Sequence, residues 1–230
     1  FTAASSTYPV CVPFRFSLMT GQQAHTRMVP AIEWSMSPAE RTLADELNAS
    51  GRETTWVGKW HLHGGQLHMP GYGAEREGLR PVPRSHQGRW KHWRGFELRN
   101  QPGDTCYFVD DDPTPRRIEG YQTDGLTDIA MAEMRRQQEA GRPFACVLSV
   151  EPPHPPDVAP AAYEARWKDR PIELPPGFSA DSDERRAALL AHRRLYYAMI
   201  ENLDDNVGRV QAFLEETKLA DETVVVFVSD

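Results

Sequence analysis

Phe144-Ala145-Cys146-Val147-Leu148-Ser149-Val150 is a compact apolar run, bounded by Gly141-Arg142-Pro143 on one side and Glu151-Pro152-Pro153 on the other. A short apolar stretch closed by turn signals at both ends is expected of a strand buried on both faces. Ahead of it, Thr123-Asp124 reads as a helix cap, with Leu126, Ile129, Ala130 and Met134 on one face and a stop near Gly141. Behind it come two proline-rich loops, 152–160 and 170–182, and then a long helix from about Asp183. Its apolar face holds Ile200, Leu203, Val207, Val210 and Leu214, and residues 223–229 follow as a second buried strand. Upstream, Ser37-Pro38-Ala39-Glu40 combines a serine cap, a proline at the first helical position and a glutamate three after the cap. Leu43, Ala44 and Leu47 continue that helix to Gly51, and Thr54-Thr55-Trp56-Val57 reads as a short strand. Strands alternating with helices predict an α/β fold with a largely parallel central sheet flanked by helices.

Residues 66–117 break this pattern with Gly, Pro, Arg, His and Trp, and long irregular stretches of this kind commonly serve as functional loops or lids. Trp90 and Trp93, among Arg89, Lys91, His92 and Arg94, read either as pins for that loop or as rings that stack on a substrate. Asp110-Asp111-Asp112-Pro113 lacks the spaced oxygens and glycine of a calcium loop and reads as a turn.

With 26 basic and 33 acidic residues the net charge is −7, which argues against a general nucleic-acid binder. Three cysteines, Cys11, Cys106 and Cys146, make neither a closed disulfide framework nor a zinc spacing. The apolar stretches are too short to cross a bilayer. Both ends read as cuts through a longer chain: the sequence opens without an initiator methionine and stops at Asp230, directly behind an apolar run. Compartment therefore stays open.

In open α/β sheets, sites form beyond the carboxyl ends of the strands. The first strand is followed by Lys59 and His61, the second by Glu151 and His154, and the third by Asp230. Singly, these read as a surface lysine, a packed loop histidine, a turn histidine and a helix cap. As parallel neighbours the strands would bring them to one rim. Near the start of the chain stands Cys11-Val12-Pro13-Phe14-Arg15, closed by Thr20-Gly21. A proline limits the backbone beside the cysteine, and the arginine offers a fork of donors suited to an oxyanion. The same cysteine also suits a buried structural position at a loop–helix junction.

Cys11-x-Pro13-x-Arg15 with Thr20-Gly21 resembles the signature of the sulfatases, formylglycine-dependent members of the alkaline phosphatase superfamily. Gly58-Lys59-Trp60-His61-Leu62 is similar to their second signature. Pro153-His154-Pro155, Tyr196-Tyr197-Ala198-Met199-Ile200-Glu201 with Leu203-Asp204, and Val225-Val226-Phe227-Val228-Ser229-Asp230 follow in order. The resemblance covers 1–230 and implies a partial catalytic domain of the alkaline phosphatase-like fold, truncated at both ends.

The resemblance further implies hydrolysis of a sulfate ester to an alcohol and inorganic sulfate. Cys11 would be the precursor of formylglycine, made by a formylglycine-generating enzyme that reads Pro13 and Arg15. A hydroxyl of the hydrated aldehyde attacks sulfur, and the second hydroxyl releases sulfate. Arg15 would steady the diol, Lys59 would bind a sulfate oxygen, His61 would orient or deprotonate the hydroxyl, and His154 would touch the sulfate or protonate the leaving oxygen. Asp230, together with the group formed from Cys11, would ligate a divalent cation, Ca2+ with Mg2+ as the other candidate. Phe14 departs from the family, which usually has serine or alanine there. The paired aspartates expected upstream fall before Phe1 and a further ligand falls after Asp230, so 1–230 is expected to be inactive by itself. Two other readings remain: a phosphonate or phosphate monoester hydrolase of the same superfamily, and a non-catalytic binder of sulfated ligands.

Overall fold

The computed structural model describes residues 5–64, 78–175, 177–178 and 180–230. The chain divides into two compact units, Phe1–Val150 with Glu222–Asp230, and Glu151–Asp221.

The first unit opens on α1, Cys11–Thr20. Pro13 falls in its first turn, where the missing N–H costs nothing. Gly21 closes it in the left-handed region (φ 68°), its N–H donating to the Ser17 carbonyl at 2.9 Å. Helix α2 spans Leu43–Ala49 and does not start at Ser37 as expected. Thr42 and Asp45 form a capping box, with the Thr42 N–H on Asp45 Oδ2 at 2.7 Å, whereas Ser37 and Glu40 only close a turn. Strand β1, Glu53–Lys59, extends two residues past the expected Val57 and carries Lys59 at its end.

Residues 66–117 are less irregular than expected. Residues 66–77 lie outside the described residues, but the rest holds β2 (His92–Phe96), β3 (Cys106–Val109) and β4 (Asp112–Arg117). Helix α3 follows at Gln122–Glu139, with Tyr121 rather than Thr123 at its cap, and then β5, Phe144–Ser149. The sheet order is β4-β3-β2-β1-β5. Strand β1 lies parallel to both β2 and β5, while β2, β3 and β4 run antiparallel in succession.

Alternation along β1 sends successive side chains to opposite faces of the sheet. Trp56 packs on one face with Trp60, Trp90 and Trp93, against Val12, Phe16 and Met19 of α1 and Ala44 of α2. Val57 packs on the other with Phe96 and with Leu126 and Ala130 of α3. Trp56 meets Trp60 edge-on at 4.9 Å and lies stacked 6.4 Å from Trp93. Trp90 and Trp93 are fully buried, so they pin the core and offer no ring to a substrate.

Two expectations for the apolar runs do not hold. Strand β5 is half-buried throughout, not buried on both faces. Residues 224–228 form no strand, and Val224, at 89% exposed, stands open to solvent with Val226 and Phe227. Among the described residues no strand pairs with the free edge of β5.

The second unit holds α4, Ala161–Trp167, and the long α5, Asp183–Glu216, whose first turn is capped by Ser182 Oγ accepting from the Arg185 N–H. Ala159, Ala198 and Met199 form its core with Tyr163 and Trp167, and Trp167 lies 5.0 Å from the Tyr197 ring. Among the described residues no helix is long and apolar enough to cross a membrane.

Candidate active site at the strand ends

Cys11 is the first residue of α1 and half-buried, and Val10 before it supplies no side-chain cap. The opening N–H groups of that helix therefore stay available to an anion or a polar group at position 11. Arg15 stands one turn further along the same helix and is 7% exposed. Its Nε donates to Asp230 Oδ2 at 2.8 Å, and its Nη1 donates to the Lys59 carbonyl and to Ser149 Oγ, each at 2.9 Å. One guanidinium thus ties together the ends of β1 and β5 and the last residue of the chain.

Lys59 is 2% exposed, and among the described residues nothing pairs with its ammonium. A buried cation without a counter-charge is costly, and an anion delivered to it recovers that cost. His61 is also buried and adopts a left-handed backbone (φ 53°). Its N–H donates to the Glu97 carbonyl at 2.9 Å, and the His63 N–H donates to Glu97 Oε1 at 3.0 Å. The buried Glu97 thereby clamps the segment that carries His61. His63 faces His86 at 4.4 Å between ring centroids, and burial first, then the His86 charge, hold its pKa below the usual histidine range.

Of the residues marked by the sequence, Cys11, Arg15, Lys59 and His61 lie on α1 or at and just past the end of β1, and Asp230 joins them through Arg15. His154 belongs to the second unit, where it is exposed with Nδ1 2.6 Å from the Pro155 carbonyl oxygen. Sequence reasoning missed Ser149 and Glu97. Ser149 is a strand-end hydroxyl at the close of β5, a signal present in the sequence, whereas Glu97 follows β2, whose polar and small residues hide it. Among the described residues no group of three or more His, Cys, Asp or Glu could hold a metal ion, and one Asp230 oxygen is engaged by Arg15.

The family model for sulfatases matches residues 1–230, and the chain belongs to the sulfatase family. An ulvan-active sulfatase of Formosa agariphila is 28% identical over 231 residues, covering 100% of this chain and 42% of that protein. The crystal structure of the yidJ protein of Bacteroides fragilis superposes with a TM-score of 0.88 at 26% identity, over 100% of this chain and 53% of the other. A phosphonate monoester hydrolase from Silicibacter pomeroyi, 20% identical, shares the fold with a TM-score of 0.59 over 95% of this chain and 52% of that one. The chain spans about half the length of the curated relatives it matches.

Proposed function

We propose that the protein carrying this chain hydrolyses a small anionic sulfate ester, with 1–230 as part of its catalytic domain. The observation that carries this reading is the charge at the strand ends. Asp230 offsets Arg15, and Lys59 is left as the uncompensated buried cation among these residues. That buried positive charge suits an anionic ester oxygen.

Cys11 is the position to be converted to formylglycine, by a formylglycine-generating enzyme acting on the Cys-x-Pro-x-Arg segment. Its place on the uncapped first turn of α1, one turn from Arg15, fits a polar, hydrated group. When present, the hydrated aldehyde supplies a nucleophilic hydroxyl toward sulfur and a second hydroxyl for release of sulfate. Arg15 holds that position through guanidinium donors not spent on the strand ends. Lys59 draws the sulfate oxygens and stabilises charge as the ester bond breaks. His61 holds or removes a proton at the attacking hydroxyl, and His154 returns one to the leaving alcohol. A divalent cation, calcium or magnesium, belongs to the same family reading. The described residues alone do not supply its ligand set.

The test is mass spectrometry of the Cys11 peptide from the full-length protein expressed in its native host, paired with rates on an aryl sulfate and an aryl phosphonate ester. An aldehyde at Cys11 with faster sulfate hydrolysis is expected. Faster phosphonate hydrolysis would move the protein to the phosphonate reading. A plain thiol with binding of sulfated ligands but no turnover would make it a non-catalytic binder.

A further inference from the structure

Ser149 and Lys59 are the last residues of neighbouring parallel strands, and the pairing register sets Gly58 opposite Ser149. Gly58 has φ 100°, and a Cβ there would stand 2.0 Å from the Ser149 carbonyl oxygen. The bare glycine is therefore what lets the two strand ends close on each other. At that closure, Arg15 Nη1 reaches the Lys59 carbonyl and the Ser149 hydroxyl at the same distance, 2.9 Å. With Nε on Asp230, only Nη2 has no partner among the described residues. Its two N–H groups are left for whatever stands at Cys11, one helical turn away on the same face.

Resting on the function proposed above, we propose that Ser149 is a positioning residue that fixes the orientation of the Arg15 guanidinium. The Lys59 carbonyl takes one Nη1 proton, and Ser149 Oγ takes the other. Without Ser149 that second N–H has no acceptor in a largely buried setting. The guanidinium then gains by rotating toward a new partner, which carries Nη2 away from position 11. The Lys59 ammonium, which faces the sulfate in this scheme, takes no part in that contact. The defect therefore falls on the chemical step rather than on substrate affinity.

The experiment compares Ser149→Ala and Ser149→Thr in the full-length protein. Loss of one hydrogen bond to a charged group predicts kcat on an aryl sulfate about tenfold lower in Ser149→Ala, with KM changed less than about twofold. Aldehyde content at Cys11 should stay at the wild-type level, and Ser149→Thr, which keeps the hydroxyl, should keep most of kcat. Wild-type kcat in Ser149→Ala, equal losses in both variants, or a loss matched by lower aldehyde content would each overturn the proposal. A crystal structure of Ser149→Ala reads the geometry without reference to activity: a reoriented Arg15 is expected, and an unmoved one refutes the assignment. If the wild-type protein cleaves no sulfate ester, the proposed function fails, and the crystal structure still judges Ser149.

Discussion

Arg15 and Asp230, 215 positions apart in sequence, meet through an Nε–Oδ2 hydrogen bond of 2.8 Å. The pair is partly buried, with side chains 9% and 31% exposed, so the interaction is charge-assisted without being fully desolvated. It brings the end of the chain to α1 although residues 224–228 join no sheet. This side-chain contact ties Asp230 to α1 where no strand ladder does.

Asp230 should then matter through both its charge and its acceptor oxygen. Asp230→Asn keeps an acceptor for Arg15 and loses the charge, while Asp230→Ala loses both. In the full-length protein, kcat/KM on an aryl sulfate is expected to fall about tenfold for Asn and about a hundredfold for Ala. Steady-state kinetics at matched aldehyde content would check the order, and near-wild-type rates in the alanine variant would refute it.

Gly58 should tolerate no side chain. Its positive φ is strained for any other residue, and the atom a Cβ would meet is backbone, which cannot swing aside. Gly58→Ala is expected to cost about 3 kcal/mol, the combined scale of a backbone mismatch and an overpacked contact. The urea midpoint of the full-length variant measures this. Gly21→Ala has open space at its Cβ and only the φ penalty, so it should cost clearly less.

Much of this architecture was legible because local chemistry and final structure agree. The apolar run at 144–149 became β5, and the helical period behind Asp183 became α5. Strands β2 to β4 were hidden by their composition. His92–Phe96 carries three polar or small residues, and Asp112–Arg117 holds Pro113 and Pro115, which a strand tolerates at a sheet edge. The opposite error occurred at 224–228, where composition promised a strand but a ladder needs a neighbour, which local sequence does not encode. At the site, Cys11, Arg15, Lys59 and His61 were marked by motif, since charged and nucleophilic groups announce themselves. Ser149 was silent because a serine closing a strand is ordinary until an arginine from a distant helix is seen to reach it.

Acid sensitivity should have an identifiable source at the start of β1. Glu53 bonds to Lys91 Nζ at 2.9 Å and His92 Nε2 at 2.8 Å, and these two partners, Lys91 foremost, pull its pKa from 4.5 to about 2. A folded-state pKa below the unfolded one means that this stability is present above about pH 4.5 and is lost as pH falls toward 2. Urea midpoints measured from pH 6 down to 2 should fall less steeply for Glu53→Gln than for wild type. Parallel curves would show that the pair does not couple folding to protons in this range.

Lys59 should separate stability from activity. Its ammonium is buried at the end of β1 and, among the described residues, unpaired, so the folded protein bears a desolvation cost with no internal compensation. Lys59→Met keeps the length and apolar stem of the side chain and removes the charge. Replacing a buried charge by a well-packed apolar group is often neutral or stabilising. Thermal unfolding of Lys59→Met should therefore occur at or above the wild-type temperature, while kcat/KM on an aryl sulfate falls by about a hundredfold or more as an oxyanion-stabilising donor is lost. Inorganic sulfate should raise the wild-type unfolding temperature and leave that of the variant unmoved, since only the wild type has the buried cation to offer it. A variant that is less stable yet fully active would mean that Lys59 serves the fold and not the anion.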